Sequence, residues 1–327
     1  MQKRERLEKT FAGEATDRVP VALWRHWPVD DQRAAELAQT TVDFQKQWDW
    51  DFVKVSPADS YPLRDYGIDD EWHGTLEGIR IYTTRAVHQP DDWAKLARLD
   101  PTTGSLGEQI EALRLVRAGL GADVPVIATV FSPMAQAKNI AGPETMFRHM
   151  HQFPDAFRAG LDIIRDNTLR YVEALHDTGI DGIYYAVQHA SFDDMTEDNY
   201  RAFGRPDDLR ILESLPDDWW FNMAHIHGLA PMFDVVKDYP VQAMNWHDRE
   251  TEPSLAEGMT LFKGAVSGGL AAWETVNSGT PESVREQARD AIAQTSGRRF
   301  ILATGCVTLI TSPIGNLRAV RRVVDEV

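Results

Sequence analysis

The chain has 327 residues, 43% hydrophobic and 26% charged, which supplies a large buried core and argues against a disordered, collagen-like or coiled-coil chain. Fifty acidic against thirty-four basic residues leave a formal charge of −16, so phosphates are repelled over most of the surface and a general nucleic-acid or acidic-membrane partner is disfavoured. No apolar run approaches the roughly 18 residues that span a bilayer, and the opening Met1-Gln2-Lys3-Arg4-Glu5-Arg6 carries charge where a signal peptide is apolar; a cytoplasmic location is the expectation. The one cysteine, Cys306, suits a reducing compartment and rules out an internal disulfide framework.

In chain order, an opening helix over Gln2 to Ala12 leads to a first strand, the apolar run within Asp17 to Arg25. A helix over Ala34 to Trp48 precedes a second strand, Asp51 to Pro57, whose β-branched run is stopped by proline. Gly74 and Gly78 punctuate Glu71 to Arg85, which reads as a hairpin insertion outside the main rhythm. The alternation resumes with a helix over Gly107 to Arg117, a strand over Val124 to Ser132, and a helix over Pro154 to His176 with proline at its start and one apolar face.

Strand four is Gly182 to Gln188, followed by helical material to Leu215, and strand five is Trp219 to His225. A short helix over Pro231 to Lys237, strands over Gln242 to Trp246 and Leu261 to Val266, a helix over Pro281 to Ala293 and a strand over Arg299 to Thr304 follow. Ser312 as N-cap and Pro313 as first residue open the last helix. Eight strands alternating with helices predict a single (β/α)8 TIM-barrel domain over residues 1–327. An open doubly wound sheet normally carries a glycine-rich turn after its first strand; Arg25-His26-Trp27-Pro28 is not one.

Active sites of such barrels form at the C-terminal ends of the strands. Those ends carry Arg25 and His26, Ser56 and Asp59, Gln188 and His189, His225 and His227, His247 and Asp248, and Cys306. In His225-Ile226-His227 two imidazoles project the same way from an extended segment, and with a thiolate from Cys306 they make three metal ligands with an open fourth position, the pattern of a catalytic zinc site. The alternative is a pair of hydrogen-bonded histidines and a cysteine that only packs. Arg25 is either an anion-binding group or an arginine paired with an acid such as Asp30. Lys54 and Lys138 reach the mouth or pair with acids. Asp59 is better placed for chemistry than Asp51, which precedes its strand. Trp27 among its neighbouring tryptophans is core, rim, or a wall for a flat ligand. No P-loop, GxSxG, HExxH or paired CxxC occurs.

Several stretches together resemble the uroporphyrinogen decarboxylase superfamily over nearly the whole chain. They are Asp17-Arg18-Val19-Pro20-Val21 with Arg25, Asp51-Phe52-Val53-Lys54-Val55, Gly279-Thr280-Pro281-Glu282-Ser283-Val284, and the ending Ala303-Thr304-Gly305-Cys306 with Thr311-Ser312-Pro313-Ile314-Gly315-Asn316-Leu317-Arg318-Ala319. The resemblance implies a (β/α)8 barrel and one of two activities. For cofactor-free porphyrinogen decarboxylation it implies Arg25, Asp51 or Asp59, and Lys138 in the place of a family tyrosine; the second arginine of the family stretch is missing after Arg25, and Cys306 stands where the decarboxylases have histidine. For zinc-assisted methyl transfer from a corrinoid to a thiol, His225-Ile226-His227-Gly228 resembles the His-x-Cys-Gly ligand segment with histidine for cysteine, and Cys306 the final ligand. The Gly-Asn-Ile-Asp stretch that follows strand seven in the methyltransferases is replaced by Gly268-Gly269-Leu270-Ala271.

Methyl transfer is the leading expectation. His225, His227 and Cys306 are then the zinc ligands; Arg25, Asp51, Asp59 and Lys138 the catalytic candidates; and His26, Trp27, Gln188, His189 and His247 the substrate-binding ones. A corrinoid would come as co-substrate, free or on a separate protein, because the chain has no Asp-x-His-x-x-Gly motif. The resemblance also makes a homodimer plausible. A decarboxylase, or a tetrapyrrole-binding protein without catalysis, are the alternatives.

Overall fold

The computed structural model describes residues 1–326. Its strands in chain order are β1 (Val53–Val55), β2 (Asp70–Glu71), β3 (Ile81–Tyr82), β4 (Val126–Phe131), β5 (Gly182–Val187), β6 (Met223–Ile226), β7 (Ala243–Trp246), β8 (Ala265–Leu270) and β9 (Phe300–Thr304). β2 and β3 pair antiparallel as the expected hairpin insertion. The other seven form one parallel sheet in chain order, from β1 to β9, with helices in the connections. Almost every residue of these seven strands is buried, because a parallel sheet curled on itself and wrapped in helices leaves neither face wet.

The eighth place is taken by Pro20–Ala22, which closes the (β/α)8 barrel. Leu302 N–H donates to the Pro20 carbonyl at 2.9 Å, Ala22 N–H to the Leu302 carbonyl at 3.1 Å, and Asp51 N–H to the Val21 carbonyl at 2.9 Å. The first strand is therefore shorter than its apolar run suggests, a single bridge between Val21 and Leu302. Two causes are visible: Pro20 has no N–H to offer a ladder, and the Val21 N–H is taken by the Asp51 carboxylate at 2.7 Å.

Other boundaries differ as well: the strand expected from Trp219 begins at Met223, the helix expected over Gly107 to Arg117 runs Gly104–Leu120, and three further shifts have a visible setting. Leu261 ends a helix, Leu255–Leu261, whose start is set by the capping box of Ser254 and Glu257; the strand follows it as β8 and contains Gly268 and Gly269, so these glycines lie inside a strand and not beyond one. Arg299 precedes β9 with φ 45° and its guanidinium donates to the carbonyls of Met259, Phe262, Lys263 and Gly264. The last helix is Ile314–Val323 with Pro313 at its N-cap and no side-chain cap from Ser312. The long helix Pro154–Leu175 and the helix Pro281–Thr295 keep their expected places within two residues.

Inside the barrel, aromatic rings fill the lower layers: Phe52 meets Phe221 edge-on at 4.8 Å and Trp24 meets Tyr184 at 5.5 Å. This packed floor leaves the polar side chains of the upper layer at the C-terminal mouth.

Candidate metal centre at the barrel mouth

Four donor groups converge at the mouth. His225 is in β6, His227 follows its end, His247 follows β7 and Cys306 follows β9. One donor atom of each lies within 4.8 Å of all the others. His225 Nε2 and His227 Nδ1 are 3.3 Å apart, and Cys306 Sγ is 3.9 Å from the same Nδ1. Two nitrogens bound to one tetrahedral zinc at about 2.0–2.1 Å are separated by about 3.3 Å, so the imidazole pair already stands at ligand spacing. Gly305 is what lets the end of β9 come this close. A Cβ there would sit 2.7 Å from His247 Cα and 2.8 Å from the Trp246 carbonyl oxygen.

The outer contacts orient the donors. His225 Nδ1 faces Asn245 Oδ1 at 2.7 Å, and its ring stacks on Tyr184 with centroids 5.3 Å apart. His247 Nδ1 faces the Glu250 carboxylate at 3.4 Å, while its Nε2 is buried without a hydrogen-bond partner. An imidazole held by a carboxylate on one nitrogen and bare on the other is the usual arrangement of a metal-binding histidine. His247, expected to bind substrate, thus joins the donor group as its fourth member.

Burial depresses the imidazoles. His227 is pushed down to about 3, first by burial and then by the neighbouring His247 and Lys138; His225 falls well below the usual histidine range for the same first reason. These rings are neutral at physiological pH, the form that ligates a metal. Burial also raises the Cys306 thiol, so a cation is needed at the site to hold it as thiolate. The donor set, the spacing and the bare His247 nitrogen fit a zinc ion.

Two lysines flank the group. Lys54, on β1, lies inside the barrel with its Nζ 3.0 Å from Ser56 Oγ and 4.8 Å above the Tyr184 ring, and burial brings it down to about 7. Lys138 donates to Gln188 Oε1 at 3.2 Å and is likewise lowered by burial, against the pull of Asp194 and Asp59. Among the described residues no carboxylate lies within ion-pair distance of either. His189 is buried near Lys138, with its Nδ1 unpartnered and its pKa pushed down to about 3 by burial, then by Lys138 and His227.

The remaining candidates are dispersed. Asp51 sits at the opposite, N-terminal end of β1, fully buried and bound by Arg6 at 2.6 Å, by Arg18 at 2.7 Å and by the Val21 N–H. A catalytic role at the mouth is therefore corrected to a structural one. Asp59 is on the mouth side, where it accepts from the Tyr82 hydroxyl at 2.9 Å and is raised mainly by burial. Arg25 lies 4.5 Å over the Trp27 ring beside a crevice with room for about one water, about 10 Å³, that Trp27, Thr41 and Phe44 also line; Asp30 is not its partner but accepts from Thr40. His26 is buried with its Nδ1 3.2 Å from the Pro57 carbonyl. Asn245 and Tyr184 are not legible as site residues, because each meets His225 only across a strand boundary, and Glu250, three residues after His247, gains its role only once His247 joins the donors.

A family model of uroporphyrinogen decarboxylase (URO-D) matches residues 2–327. The chain belongs to this family. Among URO-D relatives, it is 22% identical over 335 residues to "Methylcobamide:CoM methyltransferase MtbA" of Methanosarcina mazei, covering 96% of this chain and 95% of that protein. It is 25% identical over 229 residues to a "Uroporphyrinogen decarboxylase" of a Mycobacterium species, covering 65% of this chain and 64% of that one. A solved "methyltransferase from Methanosarcina mazei" superposes with a TM-score of 0.88 at 20% identity, over 100% of this chain and 99% of that chain, which is agreement of fold. The family thus includes both activities named by these relatives. No helix among the described residues is long and apolar enough to cross a membrane.

Proposed function

We propose that this URO-D family enzyme transfers a methyl group from a corrinoid to a thiol at a zinc ion held by His225, His227 and Cys306, with His247 as a fourth donor that the acceptor thiol would displace, because a tetrahedral zinc with four protein ligands has no open position. The observation that carries the reading is the convergence of four metal-binding atoms, of four different side chains, within 4.8 Å. The resemblance to methylcobamide methyltransferases over 96% of the chain supports it. A zinc ion there would act as a Lewis acid that lowers the pKa of an acceptor thiol, so that thiolate is present near neutral pH.

The chain's own residues do the rest. His225 and His227 contribute neutral imidazoles and Cys306 one negative charge, so the loaded site keeps a net positive charge and favours thiolate over thiol. Lys138 and the protonated form of Lys54, which burial brings down to about 7, add cationic character near the same group, and the aromatic floor of Trp24 and Tyr184 keeps water out from below. The corrinoid would enter over the open mouth, free or on a separate protein.

The test is an anaerobic assay with methylcobalamin and a panel of thiols on zinc-loaded protein, following loss of the cobalt–methyl absorbance and formation of the thioether. Zinc near one per chain with thiol-dependent demethylation is the expected result. A chain that takes up no zinc, or that demethylates at the same rate without thiol, would overturn the reading.

A further inference from the structure

Asn245 belongs to β7 and pairs in register with His225 on β6. Its amide nitrogen Nδ2 donates to two backbone carbonyls, Ser267 at 2.9 Å and Thr304 at 3.0 Å. Those oxygens only accept, so the amide cannot be turned over without setting oxygen against oxygen. The amide oxygen must therefore face the other way, where it meets the Tyr184 hydroxyl at 3.1 Å and His225 Nδ1 at 2.7 Å. An amide oxygen also only accepts, and a neutral imidazole has a single N–H. All three side chains are buried, which leaves no water to exchange for these partners and makes each unmade bond costly.

We infer that Asn245 is a positioning residue that fixes the tautomer of His225, placing the proton on Nδ1 and turning a bare Nε2 toward His227, Cys306 and His247. Isolated histidine favours the opposite tautomer, with the proton on Nε2, so the arrangement has to be imposed. Tyr184 supports the lock twice. Its hydroxyl takes the second lone pair of the Asn245 oxygen, and its ring, covered on one side by Lys54 at 4.8 Å, stacks on His225 with an interplanar angle of 22°. Ring tilt and proton position are thereby set before any ion or substrate arrives, which is how outer contacts raise the affinity of a metal-binding histidine. The inference deepens the zinc reading above, but its first test needs no metal.

The full chain, labelled with nitrogen-15 histidine and kept metal-free, would be examined by long-range proton–nitrogen correlation, with His225 assigned from the signal lost in His225→Gln. The expected spectrum has a protonated, pyrrole-type Nδ1 and a pyridine-type Nε2, and Asn245→Ala shifts the proton toward Nε2. A protonated Nε2 in the unaltered chain, or the same Nδ1 signal in Asn245→Ala, would overturn the inference; the first outcome decides the matter even if the variant does not fold. In zinc competition against a chromophoric chelator, Asn245→Ala should bind about 10–100-fold more weakly, and Tyr184→Phe, which loses only a hydroxyl, should weaken binding less. If the unaltered chain shows the Nδ1 proton but takes up no zinc, the zinc reading fails and the tautomer lock stands.

Discussion

Arg6 donates to Asp51 at 2.6 Å across the closed end of the barrel, and Arg18 grips the other carboxylate oxygen at 2.7 Å. The acid is spent on holding the opening helix, the first strand segment and β1 together. Asp51→Asn leaves two guanidinium groups facing an amide in a buried place, and breaking such a pair costs about 3–5 kcal/mol. Urea unfolding should show a loss of that order, while turnover per folded molecule stays unchanged. Lost turnover at full stability would return Asp51 to the chemistry.

His227→Ala removes the nitrogen that faces both His225 and Cys306. Zinc content should fall from about one per chain toward zero, and thiol-dependent demethylation by at least about 100-fold, no less than the loss of an outer contact. Cys306→Ala should do the same. Elemental analysis of chelator-free protein reads both, and full zinc retention in either variant would remove that residue from the ligand set.

Asp208 lies outside the barrel wall, fully buried and ringed by the hydroxyls of Tyr185 at 2.7 Å, Tyr239 at 2.8 Å and Tyr200. Burial outweighs these donors and holds its carboxyl at about 6, above its usual range. The folded chain binds this proton more tightly than the unfolded one. Its contribution to stability is therefore fully present below the ordinary carboxylate pKa and is lost as pH rises through about 6. Unfolding curves between about pH 3 and pH 7, about one unit beyond each limit, should show a decline that Asp208→Asn flattens; parallel slopes in the two proteins would contradict this assignment.

Val29 has φ 83° and ψ −57°, a conformation that a β-branched side chain occupies only under strain, and its side chain is exposed. The isopropyl group buries little that would be missed. Val29→Gly should relieve strain of about 1–3 kcal/mol against a glycine entropy cost of about 0.5–1 kcal/mol. A net gain of about 1 kcal/mol in thermal or urea unfolding is expected, and a loss would mean the turn is not strained.

Much of the barrel was legible because its signals are local. β5 is a continuous apolar run bounded by Gly179 and Gln188, and the helix Pro154–Leu175 announces itself by proline at its first position and a 3.6-residue apolar period. His225 and His227 were legible as a pair because two residues apart on an extended segment share a side. The first strand was overestimated because its apolar run is real while its hydrogen bonds go elsewhere, to Asp51. His247 was assigned to substrate because nothing in His247-Asp248 reveals that β7 lies beside β6.

The sequence by itself determined the alternation of elements and the presence of metal-binding side chains near strand ends, since both depend on periodicity and on residues a few positions apart, and its motif stretches carried the resemblance to the family. Only the tertiary structure decided that His247 joins His225, His227 and Cys306, that Asn245 faces His225, and that Asp51 belongs to the far end. These meetings join residues 20 to 81 positions apart. They follow from strand register and from barrel closure, which are set by the packing of the whole chain and leave no local trace in it.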